Sequence, residues 1–295
     1  MTLTLRPYAG QPDWYAIADL IHADPQFHHP IDFPWRLCST SLEDHRNGAV
    51  WEDDDRRIQA FAALQFPWLT ADYAIRPEVR TWDVELAIIA WAEDRLRQIA
   101  TETDDHFPFN VSAFPHEHDR IKQLEALGYE RWEHTLVMMQ RPLTDLLDSV
   151  VPAGFTIRPF AGEAELDAYT ALQRAAFDST TMTVDWRRRT LQAPLYDPTL
   201  DLVAVAPDGR LAGFCIMWYH PHLKTAQIEP LGVHPDFQQL GLSRALMRES
   251  FRRAADHGAE TALVETYSFS DPALASYQAA GFKVTDHMLK YYKEY

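Results

Sequence analysis

The stretch Leu231-Gly232-Val233-His234-Pro235-Asp236-Phe237-Gln238-Gln239-Leu240-Gly241-Leu242-Ser243 decides how the C-terminal half of the chain reads. An apolar strand ends at Val233, passes a proline and turns through Gly241 straight into a helix that begins at about Leu242. The first N–H groups of such a helix have no partner within it, and the positive end of the macrodipole stands behind them. A pyrophosphate can be held there without many cationic side chains. Gly241 lets the backbone approach a ligand closely, and Ser243 keeps the facing side small.

Reading outward, Leu242, Ala245, Leu246 and Ala254 share one helical face, Arg248, Arg252 and Arg253 lie off it, and His257-Gly258 closes the helix. Upstream, Leu202–Ala206 and Leu211–Tyr219 flank the turn Pro207-Asp208-Gly209, which marks a hairpin. Downstream, a strand over Ala262–Thr266, a short helix around Ala273–Ala280 and a strand over Lys283–Lys290 complete the half.

The chain repeats itself. Leu3-Thr-Leu-Arg-Pro-Tyr-Ala-Gly10 recurs as Phe155-Thr-Ile-Arg-Pro-Phe-Ala-Gly162, and helical stretches follow near Trp14–His22 and Glu163–Phe177. Ile75-Arg76-Pro77 corresponds to Val233-His234-Pro235, and Leu127-Gly128-Tyr129 to Ala280-Gly281-Phe282. Three matches in one order argue for duplication, with domains at 1–143 and 154–295 joined by a linker over 144–153. The charged run Trp51–Arg57 stands where the second copy has its hairpin turn and reads as a solvated turn. Counted from Ile75 opposite Val233, Arg80 falls opposite Gln238, Asp83 opposite Gly241 and Glu85 opposite Ser243, and counted back from Gly128 opposite Gly281, Leu124 falls opposite Tyr277, so the first copy is expected to have lost the anion turn.

With 295 residues, 46% hydrophobic and 24% charged, the chain has material for two ordinary packed cores. Its 27 basic and 43 acidic residues give a net charge of −16, which disfavours nucleic acid and suits a neutral or cationic substrate. Cys38 and Cys215 lie in different halves within apolar surroundings and read as buried thiols. The start MTLTLRPYAG lacks a basic stretch followed by an apolar run, and no window approaches the roughly 18 apolar residues of a membrane span. A soluble, cytoplasmic protein, monomer or homodimer, is expected. His28-His29 and His116-Glu117-His118 lack partners at metal-ligand spacing, so no metal site is expected. Phe27, Phe33, Trp35 and Trp68 read as packing residues.

Gln238-Gln239-Leu240-Gly241-Leu242-Ser243 resembles the Q/R-x-x-G-x-G/A motif of the GCN5-related N-acetyltransferase (GNAT) family. Asp271-Pro272-Ala-Leu-Ala-Ser-Tyr277-Gln-Ala-Ala-Gly281-Phe282 is similar to that family's closing segment, a tyrosine-bearing helix ending at Gly-Phe. The resemblance covers Phe155 to Tyr295 well and Leu3 to Met139 faintly. It implies an α/β (α+β) fold of two tandem GNAT-like domains, each a mixed, splayed, mostly antiparallel sheet flanked by helices. It implies acetyl-CoA as donor, CoA as product and direct transfer to the amine of a small molecule or peptide. By the same resemblance the backbone from Gln238 to Ser243, with Arg244 beside it, binds the pyrophosphate, and Leu231, Gly232 and Val233 pair with the pantetheine arm. Asp271 stands where the family often has asparagine, and a carboxylate lacks the amide donor for a cofactor contact.

Amine attack on a thioester needs a neutral amine, a site for the oxyanion and a proton for the thiolate. The family motif puts Tyr277 near the sulfur, as proton donor. Glu229, two residues before Leu231, is expected on the strand face of Leu231 and Val233, where a carboxylate can deprotonate or hold the ammonium. His234 is the alternative base. The competing reading is a non-catalytic acyl-CoA-binding sensor or scaffold.

Overall fold

The two Arg-Pro segments of the repeat form matching strands, Thr4–Pro7 and Thr156–Pro159, in the computed structural model, which describes residues 3–23 and 33–295. The match extends to atoms. Arg6 donates to Asp13 at 2.8 and 2.9 Å, and the Ala9 N–H donates to the same carboxylate at 2.7 Å. Arg158 likewise grips Glu165, with one bond at 2.9 Å, and the Ala161 N–H donates to that carboxylate at 2.9 Å. Each clamp spans seven residues and fixes how the first helix leaves the first strand.

The elements in chain order are β1 (Thr4–Pro7), α1 (Gln11–His22), α2 (Phe33–Leu37), β2 (Gly48–Glu52), β3 (Ile58–Gln65), β4 (Thr70–Ile75), α3 (Trp82–Thr103), β5 (Pro108–Ala113), α4 (His118–Ala126) and β6 (Glu130–Pro142). They continue as β7 (Thr156–Pro159), α5 (Leu166–Phe177), α6 (Val184–Thr190), β8 (Asp201–Val205), β9 (Leu211–His220), β10 (Thr225–Val233), α7 (Leu242–Asp256), β11 (Thr261–Tyr267), α8 (Asp271–Ala279) and β12 (Lys283–Glu294). Two units result, Met1–Thr135 with Met288–Tyr295, and Leu136–His287. The first orders its strands β1-β2-β3-β4-β5-β12 and the second β6-β11-β10-β9-β8-β7. In each, one pair is parallel, β4 with β5 and β10 with β11, and the other neighbouring strands are antiparallel. Both sheets are therefore mixed, mostly antiparallel and flanked by helices, as expected.

The units do not follow the linear division at 143 and 154. Leu136–Pro142 of β6 pair with Thr261–Tyr267 of β11 in the second unit, and Leu289–Glu294 of β12 pair with Pro108–Ala113 of β5 in the first. The closing strand of the chain thus leaves the second half at His287, where the sequence had it completing that half. Each half lends its last strand to the other sheet.

In the second unit, Cys215, Met217 and Ile228 pack with α7, whose buried residues include the expected Leu242, Ala245, Leu246 and Ala254 and also Met247 and Phe251. On the opposite face, the Tyr169 ring of α5 meets Phe214 at 5.2 Å. Both cysteines are buried and free. Beneath α6, Arg187 and Asp201 form an ion pair with both side chains 0% exposed. Tyr196 donates to the same carboxylate at 2.7 Å, and the guanidinium lies 4.0 Å from the Tyr169 ring centre. Removing one partner strands a buried charge. Asp201→Ala should therefore lower unfolding stability by about 3–5 kcal/mol in a denaturant titration, whereas a loss under about 1 kcal/mol would show that the guanidinium finds another partner.

Candidate active site

β10 and β11 pair for only three residues, Thr225–Gln227 against Thr261–Leu263. Beyond that point β10 stays with β9 and turns away from β11. A bulge causes this. Ile228 faces Met217 and Leu231 faces Cys215, so three residues of β10 match two of β9. The bulge corrects the expected placement of Glu229: Ile228, not Glu229, is in step with Leu231, because strict alternation fails across the extra residue. The diverging end, Leu231–Val233, is left as an open edge toward the splay.

That edge runs into the anion turn. The His234 ring accepts the Asp236 N–H at 3.1 Å, so this histidine serves the turn. Gln238 is extended, then Gln239 and Gly241 are left-handed, with φ of 62° and 88°. Alternating backbone signs of this kind make a concave nest of N–H groups. The first N–H of α7 bonded back into the chain is that of Ala245, to the Gly241 carbonyl at 3.0 Å. Leu242, Ser243 and Arg244, which precede it, line the cavity at this turn. No acidic residue stands in this first turn. A Cβ built on Gly241 meets nothing within 4 Å, so the left-handed backbone and open space on the cleft side, rather than crowding, call for glycine here.

A cavity of about 490 Å³ opens at this turn. Gln238, Gln239, Leu240, Gly241, Leu242, Ser243 and Arg244 line it, with Val233 from the strand. Leu231 and Gly232 lie outside its lining, as does Asp271, which sits exposed at the start of α8. Phe237, Met247, Ser276 and Ala279 also line it and were not anticipated. Ser276 and Ala279 are three apart on α8, a small-residue spacing that lets the helix approach closely, and the Ser276 hydroxyl is 3.4 Å from that of Ser243.

Tyr277 is 9% exposed and its ring packs on Phe282 at 5.8 Å. Burial raises its pKa above the ordinary value, and charge on Glu229 and Cys215 raises it further. The phenol and the Glu229 carboxylate are therefore within electrostatic reach of one another. Burial pushes the Cys215 thiol up to about 12, which removes it as a nucleophile.

The first unit has the same splay, since β4 and β5 pair only at Thr70 and Asn110, but its cleft is closed. Glu85 and Arg120, both buried, form an ion pair there. Tyr73 donates to Glu85, and Arg120 donates to the Ser112 carbonyl at 3.0 Å. Beside them the space between β4 and β5 is about 20 Å³. The ungapped alignment needs correcting. α3 starts at Trp82 after the cap Thr81, two residues after the short helical turn Pro77–Val79, whereas four residues separate Pro235–Phe237 from α7. Thr81, not Asp83, thus occupies the position of Gly241. Its side chain accepts the Val84 N–H at 3.4 Å, and Asp83 and Glu85 stand in the first turn. The pairing of Leu124 with Tyr277 is upheld, because Tyr129 and Phe282 donate to their carbonyls at 3.0 Å alike.

Among the described residues no group of three His, Cys, Asp or Glu side chains is arranged to hold a metal; His116 stacks on Phe114. His28, His29 and Phe27 lie outside the described residues. Phe33 and Trp35 are buried, and Arg36 lies 4.5 Å over the Trp68 ring. No described helix is long and apolar enough to cross a membrane.

Residues 166–282, which contain the turn, the splay and α8, match the model of the Acetyltransferase (GNAT) family. A mycothiol acetyltransferase of Kineococcus radiotolerans is 39% identical over 127 residues, 41% of each chain. One from an Arthrobacter species is 28% identical over 187 residues, 59% of this chain and 57% of its own. The matches span about half the length of these relatives. Over nearly the whole chain, the fold is similar to a GCN5-related N-acetyltransferase of Sphaerobacter thermophilus, with a TM-score of 0.67 at 20% identity, covering 99% of this chain and 95% of that one. It is also similar to a tandem GNAT protein from the clavulanic acid biosynthesis pathway, with a TM-score of 0.64 at 18% identity, covering 99% and 98%. The turn before α7, the splayed strands and the tyrosine helix all fall inside the segment 166–282 that matches the GNAT acetyltransferase model.

Proposed function

We propose that this chain is an acetyl-CoA-dependent N-acetyltransferase whose second unit transfers an acetyl group directly to a primary amine of a small molecule or peptide. The observation that carries the reading is the α7 turn, where unbonded N–H groups, a left-handed Gly241 and no acid face a cavity of about 490 Å³. A pyrophosphate fits this donor set. The backbone of Gln238–Ser243, with Arg244, would hold it, and the open edge Leu231–Val233 would hold the pantetheine arm. Acetyl-CoA would supply the thioester carbonyl. Glu229 then orients the acceptor ammonium and takes its proton directly or through water, while Tyr277 keeps a proton for the sulfur. The buried thiol of Cys215 favours direct transfer over an acyl-cysteine route.

The test is release of free thiol from acetyl-CoA with a panel of amines, the acceptors of mycothiol acetyltransferases among them. Thermal protection by CoA without turnover on any amine would favour the acyl-CoA sensor instead. With an active amine, the rate should rise with pH along one limb, and Glu229→Gln should shift or remove that limb. An unchanged profile in the variant would leave deprotonation to the acceptor's own pKa and the solvent.

A further inference from the structure

The first unit holds a cavity of about 560 Å³ between the end of α1, the β2–β3 turn and the end of β4, on which Arg56, Arg57 and Arg76 converge. Arg76 is only 9% exposed. Its Nε donates to the Ile58 carbonyl at 3.0 Å, which fixes the guanidinium, and no ion pair is made to its remaining nitrogens among the described residues. Burial, and after it the like charge of Arg57, lowers the pKa of Arg76 against the opposing charges of Glu78, Asp19 and Asp53. Arg56 has a left-handed backbone at φ 61°, a strained setting for a residue with a side chain.

The carboxylates nearby are already engaged. Asp13 is held by Arg6, and Glu52 accepts from Arg6 at 2.7 Å, leaving Arg56 at 4.0 Å from it. Asp53 accepts from the Asp55 and Arg57 N–H groups and from Gln59, closing the turn. Among the described residues, Asp19 on the rim and the exposed Glu78 remain to offset three arginines. In a chain of net charge −16, a half-enclosed pocket holding three arginines, one of them buried and without an ion pair among the described residues, suits an anion.

We propose that this pocket binds a small oxyanion, a carboxylate or phosphate, through Arg57 and Arg76. It lies in the unit whose cleft is closed, so it is a ligand site apart from acyl transfer. Calorimetric titration of the full chain with inorganic phosphate, and separately with acetate at the same ionic strength, tests it. Saturable binding of at least one is expected, weakened about 10-fold or more in Arg57→Gln and in Arg76→Gln. Arg57 is exposed, so its replacement keeps the test valid should Arg76→Gln fold poorly. Absence of binding, an unchanged affinity in Arg57→Gln, or an isotherm lost in Gly241→Asp but kept in Arg57→Gln would overturn the proposal. The last result would assign the anion to the α7 turn.

Discussion

Titration of the intact chain with CoA should give a stoichiometry near one, and Gly241→Asp should abolish it. A side chain at φ 88° carries about 1–2 kcal/mol of backbone strain. The larger effect is charge. At about 4 Å and an effective dielectric near 20, each like-charge contact with a pyrophosphate costs about 4 kcal/mol, and the macrodipole offers back only about 0.3–1 kcal/mol at an exposed site. Affinity should fall roughly 1,000-fold from one such contact. The first unit should add no second site, because Glu85 and Arg120 form an ion pair at its splay and Thr81 caps its helix. A stoichiometry near two, or binding that survives Gly241→Asp, would mean that the working and closed clefts have been exchanged.

Tyr277→Phe should lower turnover by about 10²–10⁴-fold while changing CoA affinity less than about twofold. The substitution keeps the ring against Phe282 and removes only the hydroxyl. The raised pKa fixes the sign of the pH effect: a phenol pushed above its ordinary value keeps its proton through neutral and mildly alkaline pH. Tyr277 should therefore contribute no falling limb below about pH 10, the ordinary phenol value. Wild-type turnover in the variant would transfer thiolate protonation to another group or to water.

The parts of the site legible in the sequence are those that depend on local chain geometry. Gly241 and the residues beside it announce a strand-to-helix turn through their own conformational needs, and Tyr277 is fixed by its distance from Gly281-Phe282. What was hidden depends on partners far along the chain. The bulge that shifts Glu229 exists only in the register between β10 and β9. The shorter turn before α3 is invisible to an ungapped comparison, since Asp83 opposite Gly241 looks like a substitution when the structure shows a two-residue loss. Arg187 and Asp201 are 14 residues apart and carry no pairing signal, although together they form a fully buried charge pair. The strand exchange is hidden for the same reason, because β6 and β12 find their partners β11 and β5 more than a hundred residues away along the chain.

That exchange sets an order on biosynthesis. A nascent chain can form β1 to β5 early, but the β5 edge gains Leu289–Glu294 only after the residues between the two strands have been synthesised. Until then the first unit exposes a row of unpaired N–H and C=O groups, the template on which strands of other chains add. The second unit has the opposite schedule, for its borrowed strand Leu136–Pro142 is synthesised before β11 needs it. Removal of Leu289–Tyr295 should therefore compromise the first unit more than the unit that carries the α7 turn, and aggregation during expression should begin at β5.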